Sequence, residues 1–439
     1  MKKFGFLFLA VICMLSCFAG GCQPQRENNT EKPEEKPFVY DYGFHEQVMP
    51  FWQSDVIYNE PVLLLEETPG GVSSGKLMLE PAEIYSVRDY SLKREWKRGV
   101  DWEYRDGKIV RLDGSDIPYF TEENLQGRDL MRRSYGENGE IIREPFGVEN
   151  PTFQTVSGED TVIYTETPLI FEYQIFVTYK YKEGAYKGPV QPYLGDKLPL
   201  LEQKIRTGED IRMLLLGDSI SCGGCSSSNI NSEPFMKNWY ELFADAVAEA
   251  SGGNVKMDNS YSVGGQISDW SLSSSGESVN GVSLNKAQAA VLKEKPDLIL
   301  IGWGMNDGTW HENQDLLAEN VLKIIDSITF VYKEPVEFIV IGTCMPNDNG
   351  ACYVLDSGVR KPLYGFQPTY SASLAEMCAS VDNAVFVDAG EIHRYAIANK
   401  KYEDMTVNNV NHPNDFVIRM YAMNLSSAVI RDFGKQGQG

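Results

Sequence analysis

The sequence predicts an α/β protein: a parallel sheet covered by helices makes up the C-terminal half, and a β-rich segment precedes it. Three observations carry this. From about residue 205, short apolar runs such as Met213–Leu216 and Leu298–Ile301 alternate with stretches of helical period. Strands buried on both faces of a parallel sheet read this way. Residues 38–200 are instead rich in β-branched and aromatic residues and show no helical period. Finally, 439 residues at 42% hydrophobic content are enough for two folded units.

The elements follow in chain order. Lys2 and Lys3 precede an apolar stretch, Phe4 to Leu15, that is too short to span a bilayer stably and reads as an export signal. Ala19-Gly20-Gly21-Cys22 then resembles a bacterial lipobox, with Cys22 as the acylated residue. Cys17, after Leu15-Ser16, is a competing site, and an ordinary signal peptide cut at small residues is the plain alternative. Residues 1–22 are thus read as a lipoprotein signal peptide. Residues 23–37, QPQRENNTEKPEEKP, read as a disordered tether. The expected arrangement is a soluble body on a lipid anchor in the bacterial envelope, facing the cell surface or the periplasm.

Within 38–200, Val62–Leu65 and Lys76–Leu79 read as strands, the latter after a Gly-rich turn. Trp102–Tyr104 and Lys108–Leu112 flank Arg105-Asp106-Gly107, a hairpin signal. Tyr173–Tyr181 is a long β-type run, and no helix is expected in this segment. A small sandwich or jelly roll is the predicted form. From 205 to 435 the predicted strands are Met213–Leu216, Val255–Asn259, Leu298–Ile301, Phe338–Ile341 and Val385–Val387. Helices are expected at Trp239–Ala250, Asn285–Glu294, Asn313–Tyr332, Ser371–Val381 and Asn414–Asp432.

A net charge of -22 disfavours nucleic acid and other polyanions as partners. Beyond the signal, Cys222, Cys225, Cys344, Cys352 and Cys378 remain, an odd number, so at least one thiol stays unpaired.

Ligands of parallel α/β sheets sit beyond the carboxyl ends of the strands. Four short motifs fall there in order. Gly217-Asp218-Ser219-Ile220 follows the first strand, where a serine can stand exposed as a nucleophile. Val263-Gly264-Gly265-Gln266 follows the second; glycine lets backbone N–H groups approach a developing oxyanion. Gly304-Met305-Asn306-Asp307 follows the third, and an Asn side chain is a good oxyanion donor. Asn411-His412-Pro413-Asn414 precedes the last helix and holds one of only four histidines. Singly, each also reads as an ordinary turn or a structural histidine.

Together the four blocks, GDS, Gly, GxND and a C-terminal His, resemble those of the SGNH (GDSL-like) hydrolase superfamily, over about residues 205–435. The resemblance implies a flavodoxin-like sheet, no cofactor and no metal. It also implies a serine esterase in which Ser219 attacks an ester carbonyl and His412 takes its proton. The oxyanion hole would comprise the Ser219 N–H, the Gly265 N–H, with Gly264 as the alternative, and the Asn306 side chain. Asp218 would brace the turn. One position departs from the family: three residues before His412, where Asp is usual, stands Asn409. The expectation is that Asn409 orients His412 as a neutral acceptor, with nearby Asp404 or a backbone carbonyl as substitutes.

Three further patterns are set aside. Gly71-Val72-Ser73-Ser74-Gly75 lacks the strand–turn–helix context of a nucleophile elbow. Cys222-Gly223-Gly224-Cys225 sits in a Gly/Ser loop and reads as a structural disulfide or two inert thiols. His311-Glu312 has no second His at helical spacing. The expected function is hydrolysis of short acyl esters, acetyl above all, on carbohydrate or another small ester. A lipase or thioesterase and a catalytically impaired surface glycan-binding protein are the alternatives.

Overall fold

The structure is a computed structural model that describes residues 38–136, 138–147 and 151–435. The expected signal peptide, Cys22 and the tether lie outside the described residues. No helix among the described residues is long and apolar enough to cross a membrane.

Five parallel strands form the central sheet: β1 (Ile211–Gly217), β2 (Val255–Ser262), β3 (Leu298–Gly302), β4 (Glu337–Ile341) and β5 (Ala384–Val387). Their spatial order is β2-β1-β3-β4-β5, with one crossover reversal at β1. This is the flavodoxin-like order, in which the crevice at the reversal receives the ligand. The apolar runs are explained by two-sided burial. Met213 and Leu215 pack into one core while Leu214 and Leu216 pack into another, as the period of two requires.

The first core is closed by α1 (Trp239–Ser251), α6 (Ala389–Asn399) and α7 (Asp415–Val429). The second is closed by α2 (Lys286–Glu294), α4 (Leu316–Val331) and α5 (Tyr370–Ala379). A short α3 (Met305–Trp310) starts just beyond β3. Local chemistry sets the helix ends. At the start of α2, Asn285 Oδ1 accepts the Gln288 N–H at 2.8 Å and Gln288 Oε1 accepts the Asn285 N–H at 3.0 Å. That reciprocal pair satisfies two otherwise orphaned donors.

The preceding segment is β-rich. A three-stranded antiparallel sheet joins Val56–Leu63, Gln174–Tyr181 and Pro81–Arg88, with Gln174–Tyr181 central. A five-stranded sheet holds the expected hairpin Trp102–Arg105/Lys108–Arg111. Two expectations are corrected. The strand predicted at Lys76–Leu79 ends at Lys76, because Leu77, Met78 and Leu79 turn into the core, where Glu60 Oε1 accepts the Met78 N–H at 2.7 Å. Three helices of one turn, Phe44–Val48, Glu122–Leu125 and Leu169–Glu172, occur where none was expected. They are too short to show a helical period.

From Tyr40 onward the chain is one compact unit. The first core runs from Val62, Ile175 and Val177 of the β-rich segment into β1 and α7 without a break. A fully buried ion pair, Lys400 Nζ to Glu60 Oε1 at 2.7 Å, links the two segments. A four-stranded antiparallel sheet is shared between them: Thr161–Ile163 and Thr152–Thr155 from the first, Ala351–Val354 and Arg360–Pro362 from the second. Residue 200 therefore marks a change of architecture within a continuous packing.

Candidate active site

The carboxyl ends of β1, β2 and β3 converge at the reversal point. Ser219 stands two residues past β1 and is partly exposed, with Asp218 beside it fully buried. Asp218 Oδ1 accepts the Ile220 N–H at 2.9 Å, and its Oδ2 accepts the Met305 N–H at 3.0 Å. One carboxylate thus shapes the serine turn and ties it to the start of α3. Burial, with the Asp307 charge nearby, pushes the Asp218 carboxyl up to about 7. Asp307 does the same for the second loop, with Oδ1 accepting the Ser268 N–H at 2.9 Å.

Val263 O accepts the Gln266 N–H at 3.3 Å, closing a turn in which Gly265 has φ 74°. A left-handed residue at that third position is what a type II turn demands, hence the glycine. A Cβ placed on Gly264 would lie 3.7 Å from Ser219 Cβ, whereas one on Gly265 would meet nothing within 4 Å. Of the two, Gly264 lies against the Ser219 side chain, and Gly265 supplies the left-handed turn beside it. The Asn306 side chain closes the opposite side, its Nδ2 donating to Gln266 O at 3.0 Å.

His412 lies in the loop before α7. Its backbone is fastened at both ends. Asn408 Oδ1 accepts the His412 N–H at 2.9 Å and also those of Val410 and Asn411, both at 3.0 Å. The His412 carbonyl accepts from Val407 N at 3.1 Å and Thr406 Oγ1 at 2.8 Å. Gln174, the first residue of the central β-strand of the preceding segment, holds the same loop by donating to Thr406 O at 2.8 Å. The imidazole Nε2 is 2.9 Å from Ser219 Oγ. So positioned, the ring can take the hydroxyl proton.

Its other nitrogen does not meet Asn409. Glu166 Oε2 lies 2.8 Å from His412 Nδ1, and Glu166 belongs to the β-rich segment. Because the carboxylate accepts from Nδ1–H, the free lone pair is left on Nε2, facing the serine. Three further donors surround Glu166: Tyr164 OH at 2.7 Å and Asn408 Nδ2 at 3.1 Å on Oε1, and the Cys225 thiol at 3.1 Å on Oε2. Burial works to raise this carboxyl, but the bond to His412 and its charge, with Tyr164 and Cys225, outweigh that and lower it to about 2. Solvent screens part of this interaction, since 43% of the side chain is exposed.

Asn409 is corrected from catalytic partner to turn residue. Its φ is 64°, a conformation Asn tolerates better than most residues. Its Oδ1 accepts from Asn347 Nδ2 at 3.0 Å, away from the imidazole. The substitute Asp404 is also elsewhere, with Oδ1 accepting the Leu63 N–H at 2.7 Å in the buried cluster with Lys400. Sequence reasoning missed Glu166 because it lies 246 residues from His412. The only signal was negative, the missing acid three residues before the histidine.

Cys222 and Cys225 are free thiols, as are Cys344, Cys352 and Cys378, so of the two readings of the C-x-x-C pattern the structure has unpaired thiols and not the disulfide. Cys225 is in van der Waals reach of the His–Glu pair, with Sγ 3.3 Å from His412 Nδ1. Glu166, Cys225 and His412 present ligand atoms within 4.8 Å of one another, a donor set of metal-binding type. All three are already engaged in mutual hydrogen bonds. His311 instead pairs with Asp269 at 3.1 Å, outside this cluster.

Residues 215–416 match the GDSL-like Lipase/Acylhydrolase family. Over those residues the chain is similar to that family. No curated protein sequence matches the chain. Among solved structures, a two-domain esterase active on acetylated mannans aligns at 15% identity and TM-score 0.39, over 57% of this chain and 56% of that one. This chain therefore spans little more than half the length of that protein. A carbohydrate esterase family 3 protein from Talaromyces cellulolyticus aligns at 15% identity and TM-score 0.33, over 49% of this chain and 94% of the other. A G-D-S-L family lipolytic protein from Veillonella parvula aligns at 17% identity and TM-score 0.32, over 48% and 94%.

Proposed function

We propose that the protein is an exported, lipid-anchored serine esterase that removes short acyl groups, acetyl above all, from carbohydrate. The observation that carries this is the unbroken chain from Ser219 Oγ to His412 Nε2 at 2.9 Å and from His412 Nδ1 to Glu166 at 2.8 Å. Ser219 Oγ attacks the ester carbonyl as His412 takes its proton. The oxyanion meets the Ser219 N–H, a backbone N–H of the Gly264–Gly265 turn and the Asn306 amide. His412 then returns the proton to the leaving alcohol, and a water, activated by the same imidazole, releases the acid from the acyl-enzyme. Glu166 stays ionised throughout, holding the tautomer and stabilising the imidazolium.

The carbohydrate assignment draws on the polar character of the loop beside the serine, where Gln266 is exposed next to the Gly264–Gly265 turn. A hydroxyl-rich substrate matches such surroundings better than an acyl chain does. The reading as an impaired binding protein loses its motive, since it rested on Asn409 replacing an acid that Glu166 supplies.

The test is hydrolysis of a short aryl acetate by protein lacking residues 1–22. Wild type should turn over, and Ser219→Ala should lose at least about a thousandfold in kcat. Equal rates would remove Ser219 from the mechanism. For the anchor, Cys22→Ser should abolish incorporation of a labelled fatty acid in cells; persistent label would move the site to Cys17 or end the lipoprotein reading.

A further inference from the structure

We infer that Trp310 and Tyr353 form a saccharide-binding rim beside the reacting ester, where a pyranose ring of the substrate stacks. The inference rests on the carbohydrate reading and gives it a location.

Two independent paths lead from the catalytic atoms to the same pair of rings. The first runs along α3. Asn306, the side-chain oxyanion donor, and Trp310 are four residues apart on that helix. Residues at that spacing share a helix face, with Cβ atoms about 6 Å apart. Trp310 thus sits one turn beyond the oxyanion donor, and it is 39% exposed although it is large and apolar. The second path starts at Glu166. Tyr164 donates to it at 2.7 Å, Tyr164 packs on Phe153 at 4.4 Å between centroids, and Phe153 meets Tyr353 edge-on at 5.3 Å. Tyr353 stacks on Trp310 at 5.2 Å with 27° between the planes. The acid and the oxyanion donor are therefore joined by a continuous row of aromatic rings.

The row is rigid. Phe153 and Tyr353 come from the two paired strands, Thr152–Thr155 and Ala351–Val354, of the sheet shared by the two segments. With Tyr164 they pack on Val162, Ala351, Leu363 and Val410, and Val410 is two residues from His412. A fixed, partly exposed ring offers apolar area at low entropic cost, because little side-chain freedom is left to lose. A pyranose matches it: its C–H face covers the ring, and its hydroxyls stay free for the polar groups nearby. An acyl chain is the competing occupant, and the experiment separates the two.

Wild type and Trp310→Ala are compared on two substrates, ethyl acetate and an acetylated β-linked oligosaccharide. The expected result is a loss in kcat/KM on the oligosaccharide at least about tenfold greater than on ethyl acetate, carried by KM, with Trp310→Phe recovering most of it. A direct readout accompanies this. In the Ser219→Ala background, calorimetry with the deacetylated oligosaccharide should show weaker binding when Trp310→Ala is added. Equal losses on both substrates, or unchanged oligosaccharide binding, would overturn the rim. Ethyl octanoate, as a third substrate, tests the acyl chain: a loss confined to it would assign the rings to the acyl chain and also overturn the rim. If wild type cleaves ethyl acetate but no acetylated oligosaccharide, the carbohydrate reading itself fails while ester hydrolysis stands.

Discussion

The two segments contribute to the site in opposite ways. The parallel sheet supplies Ser219, Asn306 and His412 from positions that its topology dictates, each just past a strand or just before a helix. The β-rich segment supplies Glu166 from a loop between Thr161–Ile163 and the turn Leu169–Glu172, where nothing in the topology calls for an acid. The first kind of contribution belongs to a fold, and any chain with that fold can make it. The second belongs to this pairing of segments. Asn409 shows the exchange: with the acid coming from outside, the position three before the histidine is free to be a turn residue.

The largest effect that tests this contrast is expected at Glu166. Glu166→Gln keeps the shape, but its amide can face Nδ1 with a donor, and it has no charge for the imidazolium. The comparable change in a serine protease costs about 10⁴ in kcat. Here a loss of about 10²–10⁴ is expected, smaller if Cys225 and a flipped amide hold the ring. A variant within about threefold of wild type would show that the parallel-sheet segment is self-sufficient.

Asn409→Ala should behave in the reverse manner. Turnover should stay within about twofold, while denaturant unfolding shows about 1–3 kcal/mol less stability, from the left-handed backbone and the lost bond to Asn347. A large fall in kcat with unchanged stability would return Asn409 to the catalytic group.

The smallest effect is one of slope. Glu166 is lowered to about 2, so it is ionised above that pH and its contribution is lost only as pH falls toward 2. Followed down to about pH 4, the acidic limb of log(kcat/KM) should therefore show no proton taken up by Glu166, and its slope should not exceed one. A slope of two would mean that Glu166 titrates within that range.

Much of the α/β part was legible because two-sided burial writes continuous apolar runs. β3, β4 and β5 start within one residue of their expected places and α1 matches to a residue at its end. The polar hairpin Ser274–Val279/Val282–Asn285 was not legible, since exposed strands carry no such signal, and Ala351–Val354/Arg360–Pro362 is too short to show an alternation. α6 was missed too: its core stripe, Ala389, Ile392 and Ala396, holds only one large apolar side chain. At the site, Ser219, His412 and Asn306 could be found because each sits in a short motif tied to a strand end. Glu166 and Asn408 could not. Asn408 works through its side-chain oxygen on three backbone N–H groups, a role any Asn-rich turn could claim.

The shared four-stranded sheet has a consequence for biosynthesis. Thr152–Thr155 pairs with Thr161–Ile163 on one side and with Ala351–Val354 on the other. During synthesis the second partner is made nearly two hundred residues later. Until then the growing chain carries an open strand edge, and such edges invite pairing with other chains. The same delay governs when the site comes together, because Glu166 is made 246 residues before His412. A chain caught part-way through translation therefore holds the acid without its base, and the Ser219–His412–Glu166 arrangement is complete only when the last strands and the final helix have closed over the first.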